Sequence, residues 1–291
     1  MNTNPLNLVR QYSHIYNPLK NMDIDSAAYP CIKRTLLDPN QNKLNWDMLS
    51  KNPAANFVMR KNQDKIQWDN LSLNPGAIML LIENEDKIQW DNLSLNSGAI
   101  PLLERNEYKI NWEKLSYNTA AIHLLEHNPK KIDWDWLSQN PGAIYLLEKN
   151  WDKINWMCLS LNPAAIHILE KNQDKITWTN LSTNHQAIQL LEENLDKIDW
   201  VRLSTNQAAI HLLKKNMDKI DWGGLSANPA AIQLLENNLD KIDWMRLSQN
   251  PAAIQLLEKN PKKIDWYWLS QNPGIFEFNK LLKYNCKIYN S

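Results

Sequence analysis

Lysine side chains that recur at one fixed spacing are the most conspicuous candidates for chemistry in this sequence. They occur once every 22 residues, at Lys65, Lys87, Lys109, Lys131, Lys153, Lys175, Lys197, Lys219, Lys241 and Lys263. A ladder of ammonium groups at ~10 Å, the usual distance between packed helices, could follow a phosphate backbone. Acidic residues accompany it, since Asp follows two residues later in many copies, as Asp133 does. We therefore predict that these lysines contact helix-end carbonyl groups and nearby carboxylates.

Histidine and serine residues also recur, but neither pattern predicts catalysis. His123, His167 and His211 occupy one position in every second copy, which separates them by roughly 20 Å, too far to share a metal ion. We expect them to be surface residues. A serine present in all eleven copies indicates packing or a hydrogen bond to the preceding helical turn, rather than a single nucleophile. With only six glycines, no phosphate-binding loop stands out. We expect no enzymatic activity, no metal site and no cofactor.

The element that carries these residues is a tandem repeat. Tryptophan recurs every 22 residues, at positions 46, 68, 90, 112, 134, 156, 178, 200, 222, 244 and 266, and the unit reads I-D-W-x-x-L-S-x-N-P-x-A-I-x-L-L-E-x-N-x-x-K. A fixed period between about 20 and 50 residues is typical of a solenoid. Because each of these tryptophans falls on the same helical face as the Leu three residues later, we predict that they belong to the core, where a buried aromatic removes about 150–250 Å² from water.

The fifth copy, residues 134–155, illustrates the local structure that the pattern predicts. Asn140-Pro141 is a strong helix start, and apolar residues between 143 and 147 then fall on one helical face. Asn150 is placed to end that helix in a left-handed conformation. Asp133 is a candidate cap for a shorter helix before it. We predict an all-α solenoid of eleven αα repeats with terminal caps, in which the shorter helix is either α or 3-10.

A leucine-rich repeat is the alternative fold that the same period allows. Its ladder asparagine would be Asn140, and alternating apolar residues would have to precede it. Trp134 and Leu137 are instead three residues apart, which is helical spacing. The spacing therefore favours the all-helical solenoid over the leucine-rich horseshoe.

Two segments of the repeat carry a likeness to known proteins. Ile132-Asp133-Trp134 and Leu137-Ser138-Gln139-Asn140-Pro141 resemble tandem repeats in proteins of giant DNA viruses, a likeness that covers roughly residues 40–288. The Leu-x-x-Asn-Pro step is also similar to the leucine-rich repeat variant, an α/3-10 solenoid, although no cysteine cluster matches the iron–sulfur domain of that family. The resemblance implies a helical solenoid and a viral source, but no activity.

Composition and the two ends of the chain indicate the cellular location and the division into segments. The chain has 291 residues, its 32 basic and 32 acidic residues cancel, and its three cysteines are far apart. No apolar run approaches the ~18 residues of a membrane span, and the N-terminal residues lack the apolar core of a signal peptide. We expect a cytoplasmic protein, in the host cytoplasm if it is viral, that does not bind membranes. We divide it into an irregular segment and capping partial repeat (1–45), tandem repeats (46–273) and a C-terminal capping helix (274–291).

One predicted surface changes character along the chain. The residue after the repeating tryptophan is acidic through the fifth copy and then becomes Met, Thr, Val, Gly, Met and Tyr. Met, Arg and aromatic residues are enriched at protein interfaces. We therefore expect a monomeric scaffold that binds another protein through Met157, Val201, Arg202, Met245, Arg246, Tyr267 and Trp268. An RNA-binding helical-repeat protein, using the lysine ladder and two variable side chains per repeat, is the alternative.

Overall fold

The computed structural model describes residues 31–32 and 41–277, and the first ten 22-residue repeats in it each form two short α-helices. A 3-10 helix separates the two in all of these repeats except those that begin at Trp112 and Trp178, and the described part of the eleventh repeat contains only the first α-helix. We number the repeats 1 to 11 from their tryptophans and name the two α-helices of each repeat helix A and helix B. Helix A is α-helical in every repeat. The all-helical solenoid predicted from the sequence is confirmed.

The helix bounds follow the 22-residue period. The A helices are Trp46–Lys51, Trp68–Ser72, Trp90–Leu93, Trp112–Tyr117, Trp134–Gln139, Trp156–Leu159, Trp178–Leu181, Trp200–Leu203, Trp222–Ala227, Trp244–Gln249 and Trp266–Leu269. The B helices are Asn56–Lys61, Ile78–Glu83, Ile100–Arg105, Ile122–His127, Ile144–Lys149, Ile166–Glu170, Ile188–Glu192, Ile210–Lys215, Ile232–Glu236 and Ile254–Lys259. In repeat 5, 3-10 helices at Pro141–Ala143 and Trp151–Lys153 precede and follow helix B.

Side-chain caps start both helices, as the sequence predicts. The carboxylate of Asp133 accepts a hydrogen bond from the N–H of Trp136 (2.9 Å) at the start of helix A. The side chain of Asn140 accepts one from the N–H of Gly142 (2.9 Å) where the 3-10 turn leads into helix B. Both caps are therefore confirmed, although the first turn after Asn140 is 3-10 rather than α.

The end of helix B differs from the prediction. Asn150 has φ −132° and ψ 55°, and none of the described residues has a positive φ. Its side-chain Nδ2 donates instead to the carbonyl of Leu146 (2.8 Å). The predicted left-handed residue is wrong, because the amide satisfies a helix-end carbonyl and the chain continues directly into the next 3-10 turn.

The core is built from small and aliphatic side chains together with a buried polar ladder. In repeat 5, Leu137, Ala143 and Leu147 are fully buried, and so are Ser138 and Asn140. The repeating tryptophans, in contrast, are all only partly buried. The prediction that they belong to the core therefore needs correction: each forms the border between core and solvent.

Buried Ser and Asn side chains join one repeat to the next. The hydroxyl of Ser138 donates to the carbonyl of Trp134 (2.7 Å) and accepts from the N–H of Asn155 (3.0 Å). The amide of Asn162 donates to the carbonyls of Ser138 and Asn140, both at 3.0 Å. The repeating serine is thus a structural hydrogen-bonding group, as the sequence predicts.

The described chain divides into two compact units. Repeats 3 to 10, residues 90–265, form the second unit. Among the described residues, the first unit combines 31–32 and 41–89 with 266–277, and it therefore holds repeats 1 and 2 and the described part of repeat 11.

Within the first unit, repeat 11 packs against repeat 1 as any repeat packs against its successor. The amide of Asn52 donates to the carbonyls of Ser270 (3.2 Å) and Asn272 (3.1 Å), the same pair of bonds that Asn162 makes. The N–H of Asn45 donates to the hydroxyl of Ser270 (2.8 Å), and Lys43 Nζ lies 5.1 Å from the ring centroid of Trp266. Residues 41–45 therefore complete repeat 11.

A short pair of strands also joins these two chain segments. Strand β1 (Cys31–Ile32) pairs antiparallel with β2 (Phe276–Glu277), and the rings of Phe57 and Phe276 meet edge to face at 5.7 Å. Where a capping helix is predicted from 274, residues 274–277 instead form the end of a 3-10 turn and β2. The rest of that predicted helix, 278–291, and most of the predicted N-terminal segment, 1–30 and 33–40, lie outside the described residues.

Candidate functional site

The lysine ladder lies on the tryptophan ladder. In repeat 6 the ammonium of Lys175 is 4.4 Å from the ring centroid of Trp156. Equivalent contacts, between 4.1 and 5.1 Å, involve Lys65, Lys87, Lys109, Lys131, Lys197, Lys219 and Lys241. The ring face, rather than the predicted helix-end carbonyls, is the partner of these ammonium groups. A cation over an exposed indole contributes about 0.5–1 kcal/mol.

Carboxylates accompany these lysines on the same 3-10 turns. Asp152 and Asp174 directly precede Lys153 and Lys175, and both are exposed. Lys153 Nζ lies 3.3 Å from Asp152 Oδ2. Asp precedes seven of the ten ladder lysines in this way, the exceptions being Lys109, Lys131 and Lys263. Most of the ladder therefore has little net charge to attract a polyanion.

The three repeating histidines form equivalent links between neighbouring B helices. His123, His167 and His211 pair through Nε2 with Glu104, Glu148 and Glu192 of the preceding repeat, at 2.9, 3.2 and 2.7 Å. All six side chains are about half exposed. Their predicted surface position is confirmed. Within the residues that the structure describes, no group of three or more His, Cys, Asp or Glu side chains is arranged to hold a metal ion.

The residues directly after the repeating tryptophans form a row on the outer side of the A helices, which we call the helix A stripe. In the second unit it consists of Asp91, Glu113, Asp135, Met157, Thr179, Val201, Gly223 and Met245. The exposed fractions of Met157, Val201 and Met245 are 55%, 60% and 46%. These predicted interaction residues therefore lie at the surface.

In several A helices the side chain of the following residue contacts the preceding repeat. Trp136 Nε1 donates to Glu113 Oε1 (3.2 Å), and its ring meets Tyr117 edge to face at 5.6 Å. Asn180 Nδ2 donates to the carbonyl of Met157 (2.9 Å), and Cys158 at the same position is buried. In these repeats the second position therefore has an internal role, whereas the sequence-based prediction assigns it only to binding, at Arg202, Arg246 and Trp268.

Arg202 and Arg246 occupy this second position and remain exposed. Arg246 Nε lies 3.7 Å from Asp243 Oδ2. Its guanidinium also covers Gly223 of the preceding repeat, because a Cβ built on that glycine would be 3.7 Å from Arg246 Cζ. A cationic group thereby stands in the stripe at the point where the stripe residue has no side chain.

Tyr267 and Trp268, the other two predicted interaction residues, belong to the first unit. Tyr267 is 43% exposed, whereas Trp268 is partly buried. Their rings meet edge to face at 5.1 Å. Tyr267 thus presents an aromatic edge supported by its neighbour.

A second apolar row was missed from the sequence. Leu195, Met217 and Leu239 follow the asparagine that ends helix B in repeats 7, 8 and 9, and their exposed fractions are 47%, 39% and 47%. The signal that could have revealed them is compositional, because Gln, Glu or Pro stands at this position in most other repeats. In repeat 5 the position is Trp151, whose ring lies 5.9 Å from that of Trp156.

A cavity of about 400 Å³ lies in the first unit beside helix B of repeat 1. Its described lining is Asn42, Leu44, Trp46, Leu49, Val58, Asn62 and Lys65. Among these, Lys65 is the single ionisable side chain, and its ammonium lies over Trp46 at 5.1 Å. The described lining therefore offers no acid–base pair.

None of the helices in the described ranges is both long and apolar enough to cross a membrane. Comparison of the chain with models of protein families, with curated proteins and with solved structures found no match.

Proposed function

We propose that the protein is a non-enzymatic cytoplasmic scaffold that acts as a single chain and binds another protein through its helix A stripe. The observation that supports this most directly is the exposure of Met157, Val201 and Met245. Folding does not require apolar side chains there, since the equivalent residues of repeats 3 to 5 are acidic. The resemblance to repeats of giant DNA viruses supports a host protein as the partner.

The energetic argument rests on the area that these side chains leave in water. Fully burying a Val or Met side chain contributes about 1.5–3 kcal/mol. With roughly half of each already covered, docking would gain about 1 kcal/mol for each of Met157, Val201 and Met245. Arg202 and Arg246 stand beside them, and Arg is a frequent hot-spot residue.

RNA binding through the lysine ladder is the weaker alternative. Ammonium groups such as that of Lys175 already rest on indole faces. Exposed carboxylates such as Asp174 stand next to them on the same turns. A phosphate backbone would therefore meet a carboxylate beside most of these lysines, and its binding would weaken steeply with salt.

The test compares the proteins captured from host cells by three forms of the full chain. The first is the unmodified chain, and the second carries Met157→Glu, Val201→Glu and Met245→Glu. The control carries Ala164→Glu, Ala208→Glu and Ala252→Glu, which add the same charge to the same three repeats at exposed positions of another face. Equal melting temperatures would establish that all three forms are folded.

We expect the stripe variant to lose a protein that the unmodified chain and the control both retain, with nuclease present and at raised salt. An unchanged set of captured proteins in the stripe variant would contradict the proposal. Capture that disappears with nuclease, or falls steeply with salt, would favour the RNA alternative.

A further inference from the structure

The helix A stripe of the second unit has two halves of different chemistry. Asp91, Glu113 and Asp135 are exposed in three consecutive repeats. The following repeats carry neutral and apolar residues at the same position, with Met157 the first of them. Both halves share one row of equivalent positions, so a segment that follows the row meets acidic groups first and apolar groups afterwards.

Hydrogen bonds from Trp136 of repeat 5 and from Asn155, the residue that caps helix A of repeat 6, fix the orientation of two of these carboxylates. Glu113 Oε1 accepts from Trp136 Nε1 (3.2 Å), and Asp135 Oδ1 accepts from Asn155 Nδ2 (2.8 Å). Held side chains lose less conformational freedom on binding than free ones. The acidic half therefore presents carboxylates that are already placed along the row.

The apolar half of the stripe is accompanied by basic side chains, opposite in charge to the carboxylates of the acidic half. Arg202 is exposed beside Val201, and Arg246 beside Met245. Arg246 lies over Gly223 and so stands in the row itself. An acidic group that a partner brings to this half can pair with these guanidinium groups.

Resting on the proposed function, we infer that the partner contributes an extended segment that is basic at one end and apolar with acidic residues at the other. Repeats packed at ~10 Å match about three residues of an extended polyproline II chain at roughly 3.1 Å each, and in that conformation every third side chain lies on the same face. A basic residue at every third position would therefore face Asp91, Glu113 and Asp135 in turn. Charge of this kind sets the direction in which the segment docks and rejects segments of the wrong polarity.

The experiment measures peptide binding to the full chain by fluorescence anisotropy at physiological salt. The probe is a synthetic 24-residue peptide with Lys at every third position of one half and Leu with Glu in the other, prepared in both chain directions. A matched peptide has the same composition with Lys and Glu mixed evenly along its length. The variant carries Asp91→Lys, Glu113→Lys and Asp135→Lys, and the control carries Glu126→Lys, Glu170→Lys and Glu193→Lys, exposed acidic residues outside the stripe.

We expect one direction of the polarised peptide to bind about tenfold more tightly than the mixed peptide, because three surface ion pairs together contribute about that factor. The stripe variant should lose this preference and the control should keep it. Equal binding of polarised and mixed peptides, or equal loss in variant and control, would overturn the inferred charge pattern. If neither peptide binds while substitution of Met157, Val201 and Met245 still abolishes capture of a host protein, the proposed function stands and the extended segment is wrong.

Discussion

The asparagine of the Asn-Pro step has two roles, of which the sequence predicts one. The side-chain oxygen of Asn162 accepts from the N–H of Ala164 (3.0 Å), the cap expected from any Asn before a helix. Its Nδ2 also donates to two buried carbonyls of the preceding repeat. The second role escapes sequence reasoning because it depends on how repeats stack, whereas capping depends only on adjacent residues.

Replacing this asparagine should therefore cost more than a cap. Asn162→Ala should lower the free energy of unfolding by about 2–4 kcal/mol, the sum of a lost cap, about 1 kcal/mol, and of buried carbonyls left without a donor, about 1–3 kcal/mol. Asn162→Asp keeps the acceptor and removes the donor, so it should also destabilise. Urea unfolding measures both. A neutral effect of Asn162→Asp would mean that the inter-repeat bonds contribute nothing.

Coupling between the lysine and tryptophan ladders can be isolated by a double-mutant cycle. We expect Lys175→Ala and Trp156→Leu to show a coupling energy of about 0.5–1 kcal/mol, because the ammonium lies 4.4 Å from the ring. Lys175→Ala with Trp200→Leu is the control, since Trp200 lies under Lys219. That pair should be additive within about 0.3–0.5 kcal/mol. Equal coupling in the two cycles would contradict a specific cation–π contact.

At the scale of the element, helix A of repeat 9 combines two glycines whose surroundings differ. Both residues are poor helix formers, which predicts a weak point from sequence alone. A Cβ on Gly223 would make ordinary contacts of 3.5–3.7 Å. A Cβ on Gly224 would lie 3.0 Å from Asp221 Oδ2 and 3.3 Å from the carbonyl oxygen of Val201. A Cβ is therefore crowded at the second position, whereas the first position has room for one.

These surroundings predict opposite outcomes for two identical substitutions. Gly223→Ala should raise the free energy of unfolding by up to about 1 kcal/mol through helix propensity. Gly224→Ala should be neutral or destabilising, because crowding of about 1–3 kcal/mol offsets the same gain. Thermal or urea unfolding of the two variants decides the matter. Equal stabilisation by both would show that the space around Gly224 opens without cost.

Helix starts were predictable from the sequence, whereas helix ends and the burial of individual side chains were not. Asp133 and Asn140 cap the predicted helices because capping needs only a side chain and the next two or three N–H groups. Asn150 does not turn left-handed, because the chain enters another 3-10 turn directly. The half-buried position of Trp134 depends on the width of the core, and the exposure of Leu195, Met217 and Leu239 depends on the path of a turn. Sequence periodicity predicts neither the width of the core nor the path of the turn.

At the scale of the whole molecule, the two chain segments of the first unit form one repeat interface. The sequence predicts terminal caps, since an end repeat would otherwise expose its core. In the first unit the carbonyls of Ser270 and Asn272 instead meet the amide of Asn52, which is more than 200 residues distant. A local period cannot reveal such a contact. The available signal was the partial unit Asn42-Lys43-Leu44-Asn45. It matches the last residues of a repeat, but the earlier residues of a repeat do not precede it.

This arrangement predicts that Asn52, in repeat 1, contributes as much to stability as the equivalent asparagines of the middle repeats. Asn52→Ala should lower the free energy of unfolding of the first unit by about 2–4 kcal/mol, because it too leaves two buried carbonyls without their donor. Lys43→Ala should cost less, about 0.5–1 kcal/mol, since it removes only the contact with Trp266. Amide exchange at Ser270 and Asn272 would report the loss directly, because opening of the interface exposes their backbone to water. If repeat 1 were an ordinary end repeat, Asn52→Ala would cost only the cap, about 1 kcal/mol, and exchange near Ser270 would not change.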